Sequence, residues 1–135
     1  MNKKSGMLGI TQRTSDNRDI EQGAKAGDKR CQLVEAMVVH QLSKYIGSYA
    51  AAMGGVDAIT FAGGIGENNP QYRSRVAKNL EFMGVKIDEE LNRKAIRGAA
   101  EVDISAPDSK VRMLVIPTNE ELMIAKDTEE LVKAL

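Results

Sequence analysis

The run Ala58-Ile59-Thr60-Phe61-Ala62-Gly63-Gly64-Ile65-Gly66-Glu67-Asn68-Asn69-Pro70 constrains the fold of this chain more than any other segment. Four apolar or β-favouring residues lead into glycine at three of four consecutive positions, and a helix-start signal follows at once. Glycine has no Cβ, so such a turn can be tight and a ligand can approach its backbone closely. Asn68 or Asn69 can act as N-cap, with Pro70 at the first helical position, where its missing N–H costs nothing. A strand, a glycine turn and a helix start in succession is how α/β proteins hold nucleotides at the carboxyl ends of their strands. Glycine-rich strand–helix turns also arise for packing alone, and the local residues leave both readings open.

Two better-known nucleotide loops are excluded. A P-loop requires Lys and a hydroxyl residue after its last glycine, and here Glu67 and Asn68 follow Gly66. The dinucleotide fingerprint requires a further glycine at the position occupied by Asn69. That disfavours a dinucleotide-dependent oxidoreductase.

At 135 residues the chain has the length of one domain with a real core. Its 19 basic and 19 acidic residues balance, so no footprint for nucleic acid or an anionic membrane is expected. Lys3-Lys4 and the pair Arg73 and Arg75 read as solvated surface. Cys31, the single cysteine, falls on an apolar helix face and reads as a buried, inert thiol. Without an apolar leader or an apolar run near membrane length, a soluble, cytoplasmic protein is expected.

Residues 1–27 are polar and glycine-punctuated, with no sustained period. From Asp28 a helical stripe takes over: Cys31, Val34, Val38, Leu42, Tyr45, Tyr49 and Met53, stopped by Gly54-Gly55. His40 lies off this stripe and reads as a surface residue. A strand over Val56–Phe61 precedes the glycine turn. A helix follows from Pro70 to Met83, then a short strand Val85–Ile87 and a helix from Glu89 to Ile96 capped by Asp88. Glu101–Ser105 and Val111–Ile116 are predicted strands joined by a β-turn at Ala106-Pro107-Asp108-Ser109, the second of them apolar enough to be central. A last helix, capped by Thr118 or Asn119, runs to Leu135, with Leu122, Ala125, Leu131, Val132 and Leu135 to dock it. This order of elements predicts an α/β layer fold.

Asn119-Glu120-Glu121 is the second chemical feature, again where an apolar strand hands over to a helix. Carboxylates in a first helical turn usually serve the dipole and the cap. The alternative is a carboxylate aimed at Mg²⁺, which takes one or two carboxylates together with substrate phosphates.

Read together, Asn2–Gly6, Ser15–Ile20, Lys44–Gly55, Phe61–Asn68 and Ile116–Leu122 resemble the C-terminal portion of the acetate kinase family, in the same order and over nearly the whole chain. The resemblance implies a ribonuclease-H-like domain of the acetate and sugar kinase, Hsp70 and actin superfamily, incomplete here, with a mixed sheet flanked by helices. It implies reversible, Mg²⁺-dependent conversion of ATP and acetate to ADP and acetyl phosphate, and a homodimer. It further implies nucleotide contacts at Asp16, Asn17 and Arg18, an adenosine site at Gly64, Ile65, Gly66, Glu67 and Asn68, and a magnesium-associated carboxylate at Glu120. One departure is visible. The family carries Ser-Gly-Val/Ile-Ser-Ser-Asp where this chain has Thr11-Gln12-Arg13-Thr14-Ser15-Asp16.

Acetate kinases are longer, and the resemblance places their N-terminal domain and catalytic residues upstream of this stretch. No catalytic residue is therefore expected in this chain, which should bind nucleotide weakly and not turn over alone. The alternatives are a propionate or butyrate kinase portion, since the acyl pocket is not in this stretch, and a non-catalytic dimerisation module.

Overall fold

The computed structural model describes residues 4–96 and 100–133. Three strands, β1 (Ala58–Phe61), β2 (Val102–Asp103) and β3 (Arg112–Val115), form one mixed sheet in the spatial order β1-β3-β2. β1 and β3 run parallel with Phe61 opposite Val115, and β2 pairs antiparallel with β3. The apolar run around Met113 and Val115 is thus the central strand, as its composition predicts. Alternate residues Ile59, Phe61, Met113 and Val115 are buried, as the two-residue strand period requires. The expected strand 85–87 is present only as bridges, Val85 to Val111 and Ile87 to Ser105. The expected turn closes with the Ser109 N–H donating to Ala106 O at 3.0 Å.

The helices are α1 (Gly6–Thr11), α2 (Asn17–Lys25), α3 (Lys29–Met53), α4 (Gly63–Asn68), α5 (Pro70–Asn79), α6 (Glu89–Lys94) and α7 (Glu120–Lys133). Short polar side chains start most of them. Asp28 Oδ1 accepts from the N–H groups of Arg30 and Cys31, Asn69 Oδ1 from Tyr72, and Asp88 Oδ1 from Glu90 and Leu91. Gly54, left-handed at φ +75°, ends α3. The main core lies where α3 and α5 cover the sheet, around Ile59, Phe61, Val76, Leu80 and Met113. A smaller core of Ile20, Ala24, Cys31 and Val34 joins α2 to α3. Cys31 is fully buried and His40 exposed.

Five expectations need correction. Residues 1–27 hold two helices, too short and too interrupted by glycine to show a period. α2 is held by Ile20, Gly23 and Ala24 against α3, and a Cβ on Gly23 would sit 2.7 Å from Cys31 Sγ. The helix expected over 70–83 stops at Asn79, with a 3₁₀ turn at Glu81–Met83. The stripe on α3 holds only through Leu42: Tyr45, Tyr49 and Met53 are exposed. A four-residue step overshoots a helical turn by about 40°, and the core-facing line moves instead through Val39, Ile46 and Ala50. Arg73, expected at the surface, is fully buried. Finally, α7 does not dock: none of its described residues is buried, and Leu122, Leu131 and Val132 are exposed. Its apolar side has no counter-surface among the described residues. Leu135 lies outside them.

Candidate functional site

Because Phe61 and Val115 are register partners, the chain leaves β1 and β3 at the same edge of the sheet. The two features singled out in the sequence are therefore neighbours. After β1 comes not a bare turn but α4, entered through Ala62, with Gly63 left-handed at φ +69°. Its glycines have different surroundings. A Cβ at Gly64 would meet nothing within 4 Å, whereas one at Gly66 would sit 3.3 Å from the carbonyl carbon of Phe61. Gly66 lets α4 lie against β1, and Gly64 leaves backbone open. Ile65 is exposed between them.

A crevice of about 440 Å³ lies between α4 and the chain leaving β3, lined by Gly64, Glu67 and Asn68 on one side and residues 118–121 on the other. Glu67 is buried, and its Oε1 accepts from the Thr118 N–H at 2.9 Å and the Thr118 hydroxyl at 3.0 Å. Asn68 Nδ2 donates to Gly64 O at 2.8 Å. Asn119, not Thr118, caps α7, its Oδ1 accepting from the Leu122 N–H at 3.0 Å. Glu120 is thereby the first residue of α7, exposed at the crevice. A larger hollow of about 760 Å³ beside α5 mixes Arg75, Lys78 and Lys86 with Glu81 and Glu89. Its lining carries charges of both signs, and Lys86 is paired with Asp108.

Asp16, Asn17 and Arg18 do not line the crevice. Asp16 caps α2 through the Arg18 N–H and pairs with the Arg18 guanidinium at 2.6 Å. The side-chain hydrogen bond from Arg18, with its backbone N–H second, holds the Asp16 carboxyl down at about 2. Asn17 Oδ1 accepts from the Tyr72 hydroxyl at 3.1 Å, and the Tyr72 N–H is in turn bound by Asn69, the residue after α4. Burial first of all raises the Tyr72 hydroxyl to about 12. Gln12, where the resembling family has glycine, is left-handed at φ +59°, and Arg13 reaches across to Asp28 and Cys31.

Sequence reasoning missed the Glu67–Thr118 pairing and the role of Arg73. Arg73 Nη1 donates to the carbonyls of Gly66 and Glu67 at 2.6 and 2.9 Å, and Nη2 to those of Asn92 and Ala95. One signal was available for Arg73: it stands three, four and seven residues before Val76, Ala77 and Leu80 on the buried face of α5.

The described residues contain no cluster of three or more His, Cys, Asp or Glu that would cage an ion alone. Exposed Glu120 and Glu121 instead fit the mode of Mg²⁺, which binds one or two carboxylates and completes its shell with phosphates and water.

A parallel strand pair with a crevice at its carboxyl edge, in a small mixed sheet flanked by helices, is an α/β arrangement of the kind found in ribonuclease-H-like domains of the actin-like ATPase type, here incomplete. Solved structures agree. An acetate kinase from Porphyromonas gingivalis matches at TM-score 0.85 and 47% identity over 97% of this chain and 32% of its own. A propionate kinase from Francisella tularensis matches at TM-score 0.80 and 37% identity, over 92% and 30%. The acetate kinase of Thermotoga maritima is 53% identical over 136 aligned residues, covering 100% of this chain and 34% of the relative. The chain belongs to the acetokinase family, whose model matches residues 1–126. It spans about a third of the length of the relatives it matches. Among the described residues no helix is long and apolar enough to cross a membrane.

Proposed function

We propose that this chain is the C-terminal, nucleotide-binding portion of an acetate kinase, which converts ATP and acetate reversibly to ADP and acetyl phosphate in the cytoplasm. The observation that carries this reading is the crevice that joins the open backbone of Gly64 to Glu120 across two neighbouring strand ends. Adenosine rests on α4 at Gly64, Ile65, Gly66, Glu67 and Asn68. Asp16, Asn17 and Arg18 serve the same nucleotide from the α2 end, where Arg18 supplies a cationic fork suited to a base or a phosphate. Glu120 holds Mg²⁺ together with the phosphates, and bound Mg²⁺ offsets the charge that builds up during phosphoryl transfer. Acetate and the transferred phosphoryl group are held by parts of the enzyme outside the stretch matched here.

The homodimer belongs to this reading as well. Leu33, Met37, Tyr45, Tyr49 and Met53 are exposed at four-residue multiples along α3, the kind of apolar surface that marks an interface. Sedimentation of the wild type against a Tyr45→Glu/Tyr49→Glu variant checks it, and an unchanged mass would remove α3 from the interface.

The nucleotide site is tested by titrating ADP and Mg²⁺ into the isotopically labelled chain and following its amide resonances. Shifts confined to residues 16–18, 62–68 and 117–121 are expected. Shifts elsewhere, or none at saturating ligand, would overturn the assignment. A coupled assay of the same chain should register no acetate-dependent ATP consumption.

A further inference from the structure

We infer that Glu67 is the positioning residue for Glu120, tying the nucleotide-side helix α4 to the metal-side start of α7; this rests on the nucleotide reading above. Glu67 is only 8% exposed, although it stands at the rim of a polar crevice. Its Oε1 holds both donors of Thr118, a residue 51 positions away in sequence. Hydrogen bonds to an ionised carboxylate are about twice as strong as neutral ones.

Both ends of this clasp are anchored. On the α4 side, Arg73 is fully buried and grips the carbonyls of Gly66 and Glu67 themselves. On the other side, Thr118 is followed by Asn119, which caps α7, and then by Glu120. α7 has no buried residue among those described, so packing of the helix does not place Glu120. The clasp is what fixes the chain just before it. Asn92, Arg73, α4, Glu67 and Thr118 thus form one hydrogen-bonded line, which the chain itself continues through Asn119 to Glu120.

For the Glu67 carboxylate a positioning role differs from direct contact with the ion, and three variants separate them. Glu67→Gln keeps an oxygen acceptor, Glu67→Ala removes it, and Thr118→Val removes one of its two donors while leaving the backbone N–H. ADP affinity is measured by amide-shift titration with and without Mg²⁺. Wild type is expected to gain about tenfold in affinity from Mg²⁺. E67A and T118V should lose most of that gain, whereas E67Q should retain most of it. An E67Q loss equal to that of E67A would show direct coordination and overturn the proposal, as would an undiminished gain in E67A and T118V. T118V, altered at the surface, decides the matter where E67A does not fold.

A wild type that binds ADP under neither condition would defeat the nucleotide reading, and the clasp is then judged in the free chain. There the Thr118 amide should exchange at least about tenfold faster in E67A than in wild type, with Val76 in α5 as the reference. An unchanged Thr118 rate would overturn the clasp.

Discussion

Arg73 Nε lies 2.7 Å from Asn92 Oδ1, and neither residue has any exposed surface. The remaining guanidinium bonds go to backbone carbonyls at the ends of α4 and α6, the negative ends of both helices. Burial lowers the pKa of Arg73, yet a guanidinium stays charged in proteins, so these carbonyls must compensate the cation. Replacing Arg73 by Met would strand them. The expected cost is about 3 kcal/mol or more of unfolding free energy in a urea titration. Arg73→Lys should recover little of it, because an ammonium has no planar fork with which to span five acceptors. A Met variant within about 1 kcal/mol of wild type would contradict this account.

The glycines of α4 should separate by substitution. A Cβ at Gly66 presses on the backbone of Phe61, which is held in β1 and cannot give way. Gly66→Val is therefore expected to lose about 1–3 kcal/mol of stability. Gly64 has open space and an ordinary backbone angle, so Gly64→Ala should stay within about 1 kcal/mol of wild type. A fall in ADP affinity in the Gly64 variant then reports on the ligand and not on the fold. Equal destabilisation by the two changes would refute the distinction.

Gln12 is the one residue other than glycine with positive φ among those described. The left-handed conformation costs a side chain about 1–2 kcal/mol. Gln12 also accepts from Arg30, an exposed contact that a glycine would forfeit. Gln12→Gly should consequently raise stability by about 0.5–1 kcal/mol, read from the shift in urea midpoint. A drop in midpoint would show that the contact with Arg30 outweighs the backbone strain.

Asp16 gives a pH dependence of defined sign. Its carboxyl is held at about 2 in the folded chain, against an ordinary value of 3.8. A depressed carboxyl stabilises the fold above the unfolded value and loses that contribution as pH falls through the folded one. The cap of α2 should thus weaken between pH 3.8 and about 2, not at neutral pH. A carbonyl-carbon NMR titration of Asp16 should show its midpoint near the low end of this window. Arg18→Ala should move it upward, and a wild-type midpoint near 4 would rule out the Arg18 pairing in solution.

Local signals were legible where one residue suffices to make them. Asn69 and Asp88 cap helices at the places their side chains predict, because a cap needs only a short acceptor and the next turn of backbone. The strand before the glycines and the apolar strand 111–116 were equally plain. α1 and α2 were not, since helices of six and nine residues draw their stability from docking on α3 and carry little periodic signal of their own.

By itself the sequence determined the caps at Asn69 and Asp88, the strands that hold Phe61 and Val115 and the carboxylates that open α7, because each follows from conformational preferences within a few residues. Only the tertiary structure decided that Phe61 and Val115 share one sheet edge, that Glu67 belongs to Thr118 and that Arg73 is interior. Those facts join residues far apart along the chain, and no local preference encodes which distant strand, donor or carbonyl a residue will meet once the core has closed.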